Sequence, residues 1–197
     1  MKFRKFGGQM IDDLGQYMRD YLLEHPNVRI YVGCDSEKMG RQILYVTTIC
    51  MYDSEMRDGV HYILCKEWIP RKGTKGEDTA QMIKRIWGEV EKVAQVGEYL
   101  EKEIDGYIKR FASDELIKME LQPHQTKLVD VDIDINPDIG IRGENKSNKL
   151  IDAAMGFLVG CGFRTRCKPD AWAASCAADF HCKPRKNGRR KKKSRKQ

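Results

Sequence analysis

No stretch of the chain approaches the roughly 20 consecutive apolar residues of a bilayer-spanning helix, so no membrane span is expected. The opening segment, MKFRKFGGQM, lacks the apolar centre of a secretory leader. Cysteines are present but not paired by spacing: seven, an odd number, fall at 34, 50, 65, 161, 167, 176 and 182. That pattern argues against a disulfide framework and for reduced thiols in a cytoplasmic setting. It also lacks the tight Cys-x₂-Cys pair of a zinc knuckle, which weakens a zinc reading of Cys161, Cys167, Cys176, His181 and Cys182. The loop from Gly140 to Gly143 carries no Walker lysine pattern, and no Ser or Cys nucleophile arrangement stands out.

Acid is missing from one region only. Of the 36 basic residues, ten lie in 183–197, among them Arg189, Arg190, Lys191, Lys192 and Lys193, and that run holds no Asp or Glu. The other 26 basic residues are outnumbered by 29 acids, so residues 1–182 carry a small net negative charge. The run cannot bury a core and reads as a disordered basic tail. Its useful property is attraction to phosphate polymers; a solubilising, membrane-surface or targeting tail is the plainer alternative.

What remains, residues 1–182, has the length and composition of one globular α/β domain. Met10 to Glu24 reads as an amphipathic helix with Met10, Leu14, Tyr17, Met18, Tyr21 and Leu22 on one stripe. Strands follow at Val28 to Cys34, Ile43 to Met51 and Val60 to Ile69, joined by short connections that predict an antiparallel meander. Arg71 to Gly76 is a basic loop containing Lys72 and Lys75. A helix is expected from Asp78 to Leu100, and 101–125 reads as further helix, a lid or an insertion. Lys127 to Pro137 alternates cleanly: Val129, Val131, Ile133 and Ile135 face one way, Asp130, Asp132 and Asp134 the other. A helix from Ser147 to Val159 and a strand from Phe163 to Lys168 complete a mixed five-stranded sheet flanked by helices. In it the first and fourth strands are parallel neighbours.

The segment from Lys168 to Cys182 predicts a small-residue helix with Asp170 placed to cap it. On an α-helix Asp179 shares a face with Trp172, Ser175 and Cys176, a set that packs inward. An acid there is costly to bury without a partner. Asp35 ends or follows the first strand and Asp134 lies near the end of the fourth. Neighbouring strands are about 4.8 Å apart, so these carboxylates can meet. Three acids in one pocket repel unless divalent cations neutralise them, and oxygen-only ligands suit Mg²⁺ or Mn²⁺ over Zn²⁺. Plainer readings stand beside this one. Asp35 with Ser36 also fits a turn, Asp134 the solvent face of a strand, Asp179 an acid held by Lys168 or His181, and Asp170 a cap rather than a ligand.

Gly33-Cys34-Asp35-Ser36, Asp134-Ile135-Asn136-Pro137, Lys146-Ser147-Asn148-Lys149, Gly156 through Gly162-Phe163, and Lys168-Pro169-Asp170 running to Ala178-Asp179 occur in an order that resembles a known family. It is the ribonuclease H-like superfamily and, within it, the YkuK-type proteins of bacteria and phage. The resemblance implies a ribonuclease H-like fold and a metal-dependent nuclease. Asp35, Asp134 and Asp179 match metal-holding acids, with two Mg²⁺ or Mn²⁺ ions and Asp170 as a further ligand. It also implies a glutamate in the first crossover helix. Glu89 is the candidate, with Arg85 four residues earlier as a simple ion-pair partner; Glu77 and Glu91 are rivals. The implied substrate is RNA, DNA or their hybrid, gathered by Lys168, Arg71, Lys72, Lys75 and the basic tail. The contrasting expectation is a catalytically silent nucleic-acid-binding module of the same fold.

Overall fold

The structure, a computed structural model, describes residues 1–25, 28–53, 59–71, 79–111, 129–133, 135 and 146–183, with the backbone alone for 105–111 and 146–149. A short edge strand β1 (Arg4–Lys5) leads to helix α1 (Leu14–Glu24). Asp13 caps α1, its carboxylate accepting the Gln16 N–H at 2.9 Å. Three strands of 11 residues follow, β2 (Arg29–Met39), β3 (Gln42–Tyr52) and β4 (Val60–Pro70). They pair antiparallel without a break in register, from Arg29 opposite Tyr52 and Tyr52 opposite Val60. The tight turn between β2 and β3 places Gly40 at a φ of 62°, a left-handed conformation that favours glycine.

Helix α2 (Thr79–Phe111) then crosses the sheet to β5 (Asp130–Ile133), helix α3 (Lys146–Gly160) and β6 (Arg164–Cys167). A π-helical turn (Ala173–Ala178) runs directly into a short helix α4 (Asp179–Cys182). The sheet order is β1-β4-β3-β2-β5-β6, with β5 parallel to both β2 and β6. The main core lies between the sheet and α1, α2 and α3, where Val32, Ile49, Val93, Leu100, Val131, Leu158 and Phe163 are fully shielded from solvent. A smaller core of Leu44, Val46, Ala178 and Cys182 seals the opposite face under α4. β3 is buried from Leu44 to Met51 because both of its faces are covered.

The meander and the parallel pairing of the first and fourth long strands stand as the pattern predicts. The sheet nevertheless has six strands rather than five. The added β1, two residues long, pairs with β4. Alternation alone cannot reveal so short a strand. β2 continues past Cys34 to Met39, so Asp35 sits within the strand rather than at its end. The helix expected to stop near Leu100 runs on to Phe111, taking in the first part of the 101–125 stretch; residues 112–125 lie outside the described residues, as do 136–145.

Candidate functional site

Strand alternation divides Gly33-Cys34-Asp35-Ser36 between the two faces of the sheet. Cys34 and Ser36 face α2. Gly33 and Asp35 face the C-terminal helical segment. On the α2 side, Glu89 is only 3% exposed. The Ser36 hydroxyl donates to its Oε1, and the Arg85 guanidinium approaches the same oxygen at 3.2 Å. Arg85 also donates to the Ser36 hydroxyl at 2.7 Å and the Ser36 carbonyl at 3.0 Å. The pairing four residues apart on one helix face is therefore made, and it ties α2 to β2 beside Asp35.

On the other face, close approach positions the segment that bears Asp179. A Cβ built on Gly33 would fall 2.5 Å from the Ala173 carbonyl carbon and 2.7 Å from the Ala174 Cα. Only glycine lets the π-turn lie this close. Thr48, opposite Gly33 in the sheet, donates its hydroxyl to the Ala173 carbonyl at 3.1 Å. From there the helix carries Asp179 and, one turn later, Cys182, whose thiol donates to the Asp35 carbonyl at 3.1 Å. Asp179 is paired with Lys183 at 2.7 Å.

Asp35 and Glu89 therefore flank the same two buried thiols. Burial raises Cys34 well above its ordinary range, and the charges of Glu89 and Asp35 add to the shift. Cys182 is pushed up by burial, then by Asp35, with Cys34 and Glu89 contributing. The paired segment of β5 ends with Ile133 opposite Cys34, the residue before Asp35. Among the described residues, no group of three or more His, Cys, Asp or Glu side chains lies close enough to hold a metal ion. Asp134 is outside the described residues, as are Glu77, Lys72, Lys75, Arg189, Arg190, Lys191, Lys192 and Lys193.

Several expectations change. The π-turn displaces the helical face predicted for Asp179. The inward residues are Ala173, Ala174, Ala178 and Cys182, while Cys176 is exposed. Asp179 itself is half-buried and held by Lys183, not by Lys168 or His181. Asp170 is exposed and does not cap the helix. Its backbone N–H bonds the Cys167 carbonyl at 2.9 Å in the turn before it, after the cis Lys168-Pro169 peptide. The cap comes from β5. The Oδ2 of Asp132 accepts the Ala173 N–H at 2.8 Å, and its Oδ1 accepts from Arg166 Nε at 3.0 Å. Asp130 and Asp132 are both buried on the face that alternation alone would leave to solvent, Asp132 beneath the π-turn and Asp130 beside Arg29 at 3.7 Å. Burial raises Asp132 to about 6, against the pull of Arg166 and the Ala173 N–H. Arg166, which also lies 4.4 Å over the Tyr31 ring, was not singled out by the sequence. The alternation of Arg164-Thr165-Arg166-Cys167 was its only signal.

Of the remaining basic candidates, Lys168 is half-buried beside the turn. Arg71 is half-buried at the end of β4, its backbone N–H bonded to the Arg41 carbonyl at 2.8 Å and its guanidinium 3.4 Å from Gln81 Oε1. The rival Glu91 is exposed on α2.

Residues 9–183 match the family described as Ribonuclease H-like. Searches of curated proteins and of solved structures each returned no match. The YkuK-type resemblance is consistent with that family.

Proposed function

The chain belongs to the ribonuclease H-like family, and on that premise we propose that it is a divalent-metal-dependent nuclease that hydrolyses phosphodiester bonds. The family match supports a nucleic-acid role. The observation that carries the finer reading is the placement of Asp35 inside β2, with Glu89 on one side and the Asp179-bearing helix on the other.

The donor set suits hard cations such as Mg²⁺ or Mn²⁺, because every acid involved offers carboxylate oxygens. Asp35 and Asp179 are the described ligands; Asp134, next in sequence after the residue paired with Cys34, would complete a set that they do not make alone. Asp170, exposed in the preceding turn, is at most a peripheral ligand. When bound, a pair of such ions activates water and stabilises the leaving oxygen. The chain's own residues do the rest. Ser36 and Arg85 fix Glu89 beside β2, and Gly33 sets the height of the helix over Asp35. Lys168, Arg71, Lys72, Lys75 and the basic run 183–197 draw a polyanion toward a domain that is itself mildly acidic.

The test is cleavage of labelled RNA/DNA hybrid, structured RNA and branched DNA with Mg²⁺ or Mn²⁺, against Asp35→Asn. Loss of metal-dependent cutting of at least one substrate in the variant supports the reading. No cutting by the unaltered chain, or equal cutting by Asp35→Asn, sinks it. A second reading, a catalytically silent binding module, is favoured by the ion pairs Arg85–Glu89 and Lys183–Asp179, which already occupy two of the acids. It predicts nucleic-acid binding without cleavage.

A further inference from the structure

The face that carries Asp35 also carries a groove that the acid site does not use. Cross-strand register sets two rows of side chains on this face. Lys66 lies opposite Val46 and Val46 opposite Asp35; Trp68 lies opposite Leu44 and Leu44 opposite Glu37. At the usual strand spacing Lys66 is about 10 Å across the sheet from Asp35. Leu44 floors the groove, Trp68 forms one wall, and Phe180 and His181 of α4 form the other.

Two of the largest apolar side chains in the chain stand open here: Trp68 is 50% and Phe180 52% exposed. The rings continue outward. Phe180 meets His181 edge-on at 5.0 Å, and Phe6 meets His181 at 5.8 Å. The charged side chains among the described lining residues are basic. Lys66 donates to the His181 carbonyl at 2.8 Å and fixes α4 over β4, and Lys183 stands at the lip. Lys183 is also the first residue of the ten-cation run, which therefore leaves the domain from the edge of this groove.

Exposed rings lining one groove beside Lys66 and Lys183 fit planar bases joined by phosphates. Continuity with the acid site and the origin of the basic run favour that occupant over an apolar peptide. We propose that this groove holds unpaired bases of a nucleic acid strand, stacked on Trp68 and Phe180, beside the bond presented to Asp35; in that last respect it rests on the nuclease reading. Bases inside a duplex are stacked on one another and cannot offer their faces. The substrate class is therefore a single-stranded or splayed segment rather than a continuous duplex.

The experiment is equilibrium binding by the full chain in EDTA, where cleavage plays no part. The probes are labelled single strands of about 12 nucleotides, RNA and DNA, and a blunt duplex of the same sequence. Replacing both rings, Trp68→Leu with Phe180→Leu, should weaken single-strand binding roughly tenfold or more. Duplex binding, carried by phosphate contacts with the basic run, should change less than about twofold. The ring-keeping pair Trp68→Tyr with Phe180→Tyr should retain most single-strand affinity and guards against a folding defect. Unchanged single-strand affinity in the Leu pair overturns the proposal. So does an equal loss on the duplex, or a Tyr pair as weak as the Leu pair. Self-association that disappears in the Leu pair, with affinity unchanged, would give the groove to a second copy of the chain and also overturn it. Absent cleavage with intact single-strand binding would count against the nuclease reading and leave the groove standing.

Discussion

The carboxylate of Asp132 accepts the backbone N–H of Ala173 at 2.8 Å, joining the middle of β5 to the first residue of the helical segment that carries Asp179. Asp132 is fully buried, and its other oxygen meets Arg166 at 2.9–3.0 Å. One acid thus fastens three elements, β5, β6 and the C-terminal helix. It satisfies one of the N–H groups that every helix start leaves without an internal partner. Asp132 therefore holds the fold together at the C-terminal helix.

Removing it should be expensive. Asp132→Ala leaves the Arg166 guanidinium facing a buried gap and the helix start uncapped. The expected cost is about 3–5 kcal/mol, the range for breaking one side of a buried ion pair. Asp132→Asn keeps an acceptor for the Ala173 N–H and should cost clearly less. Chemical denaturation of the two variants checks this; equal midpoints for Asn and Ala would mean that the cap bond contributes nothing.

Gly33→Ala tests how the helix is seated. The new methyl would meet backbone atoms of Ala173 and Ala174, not the movable end of a side chain, so the helix must shift outward. Overpacking of this kind costs about 1–3 kcal/mol. The shift also carries Asp179 away from Asp35. Cleavage should therefore fall by about tenfold or more at a temperature where the variant is still folded, since small misplacements of reacting groups are costly. Circular dichroism and cleavage rates measured side by side separate the two effects.

The sequence exposed most of this architecture and only part of the site. The meander was readable because β2, β3 and β4 are runs rich in β-branched and aromatic residues with short connections, and the parallel β2–β5 pair follows from the crossover helix. The acids of β5 were visible too, but their fates were not. Asp130 and Asp132 alternate like solvent-facing residues, yet tertiary packing buries both, Asp132 beneath the π-turn. The π-turn also defeated the helical-face argument at Asp179. The wider π-turn breaks the α-helical spacing that set Ser175 and Cys176 on the face of Asp179, and Cys176, inside the turn, is exposed. Arg85 was legible as the partner of Glu89 because helix spacing is local information; Arg166 was not, because its partner lies 34 residues away.

A histidine cluster far from the acids sets a pH dependence. The ring of His61 stacks on Tyr21 at 4.8 Å, its Nε2 meets the Tyr17 hydroxyl at 2.6 Å, and Lys5 and His25 add positive charge nearby. Burial, then those two charges, lower its pKa below 6.5. The unfolded chain therefore takes up the proton first as pH falls. The stability tied to neutral His61 is complete above about pH 6.5 and is lost as the pH drops through the window below it. His61→Phe keeps the stacking and removes the titration. Between about pH 6.5 and 5 its Tm should fall less than that of the unaltered chain; parallel Tm curves would refute the assignment.

The basic run offers the cleanest separation of binding from chemistry. Deleting 184–197 leaves Lys183, its pair with Asp179 and the Cys182 contact to Asp35 in place. It removes most of a ten-cation segment that contains no acid. Each phosphate neutralised contributes about 0.7 to the salt slope of single-strand binding and about 0.9 for duplex. The truncated chain should therefore bind more weakly at low salt, by similar factors across unrelated sequences, with a log–log salt slope smaller by about 2 or more. Its kcat, set by residues that remain, should stay within about twofold, with the loss falling on KM. A tail that serves only solubility would leave the slope unchanged. A tail that completes the active centre would lower kcat at saturating substrate. The three outcomes are distinct because a tail that gathers nucleic acid would do so by long-range attraction, which salt screens, whereas acids that hold a reacting group would act at contact distance, where screening is weak.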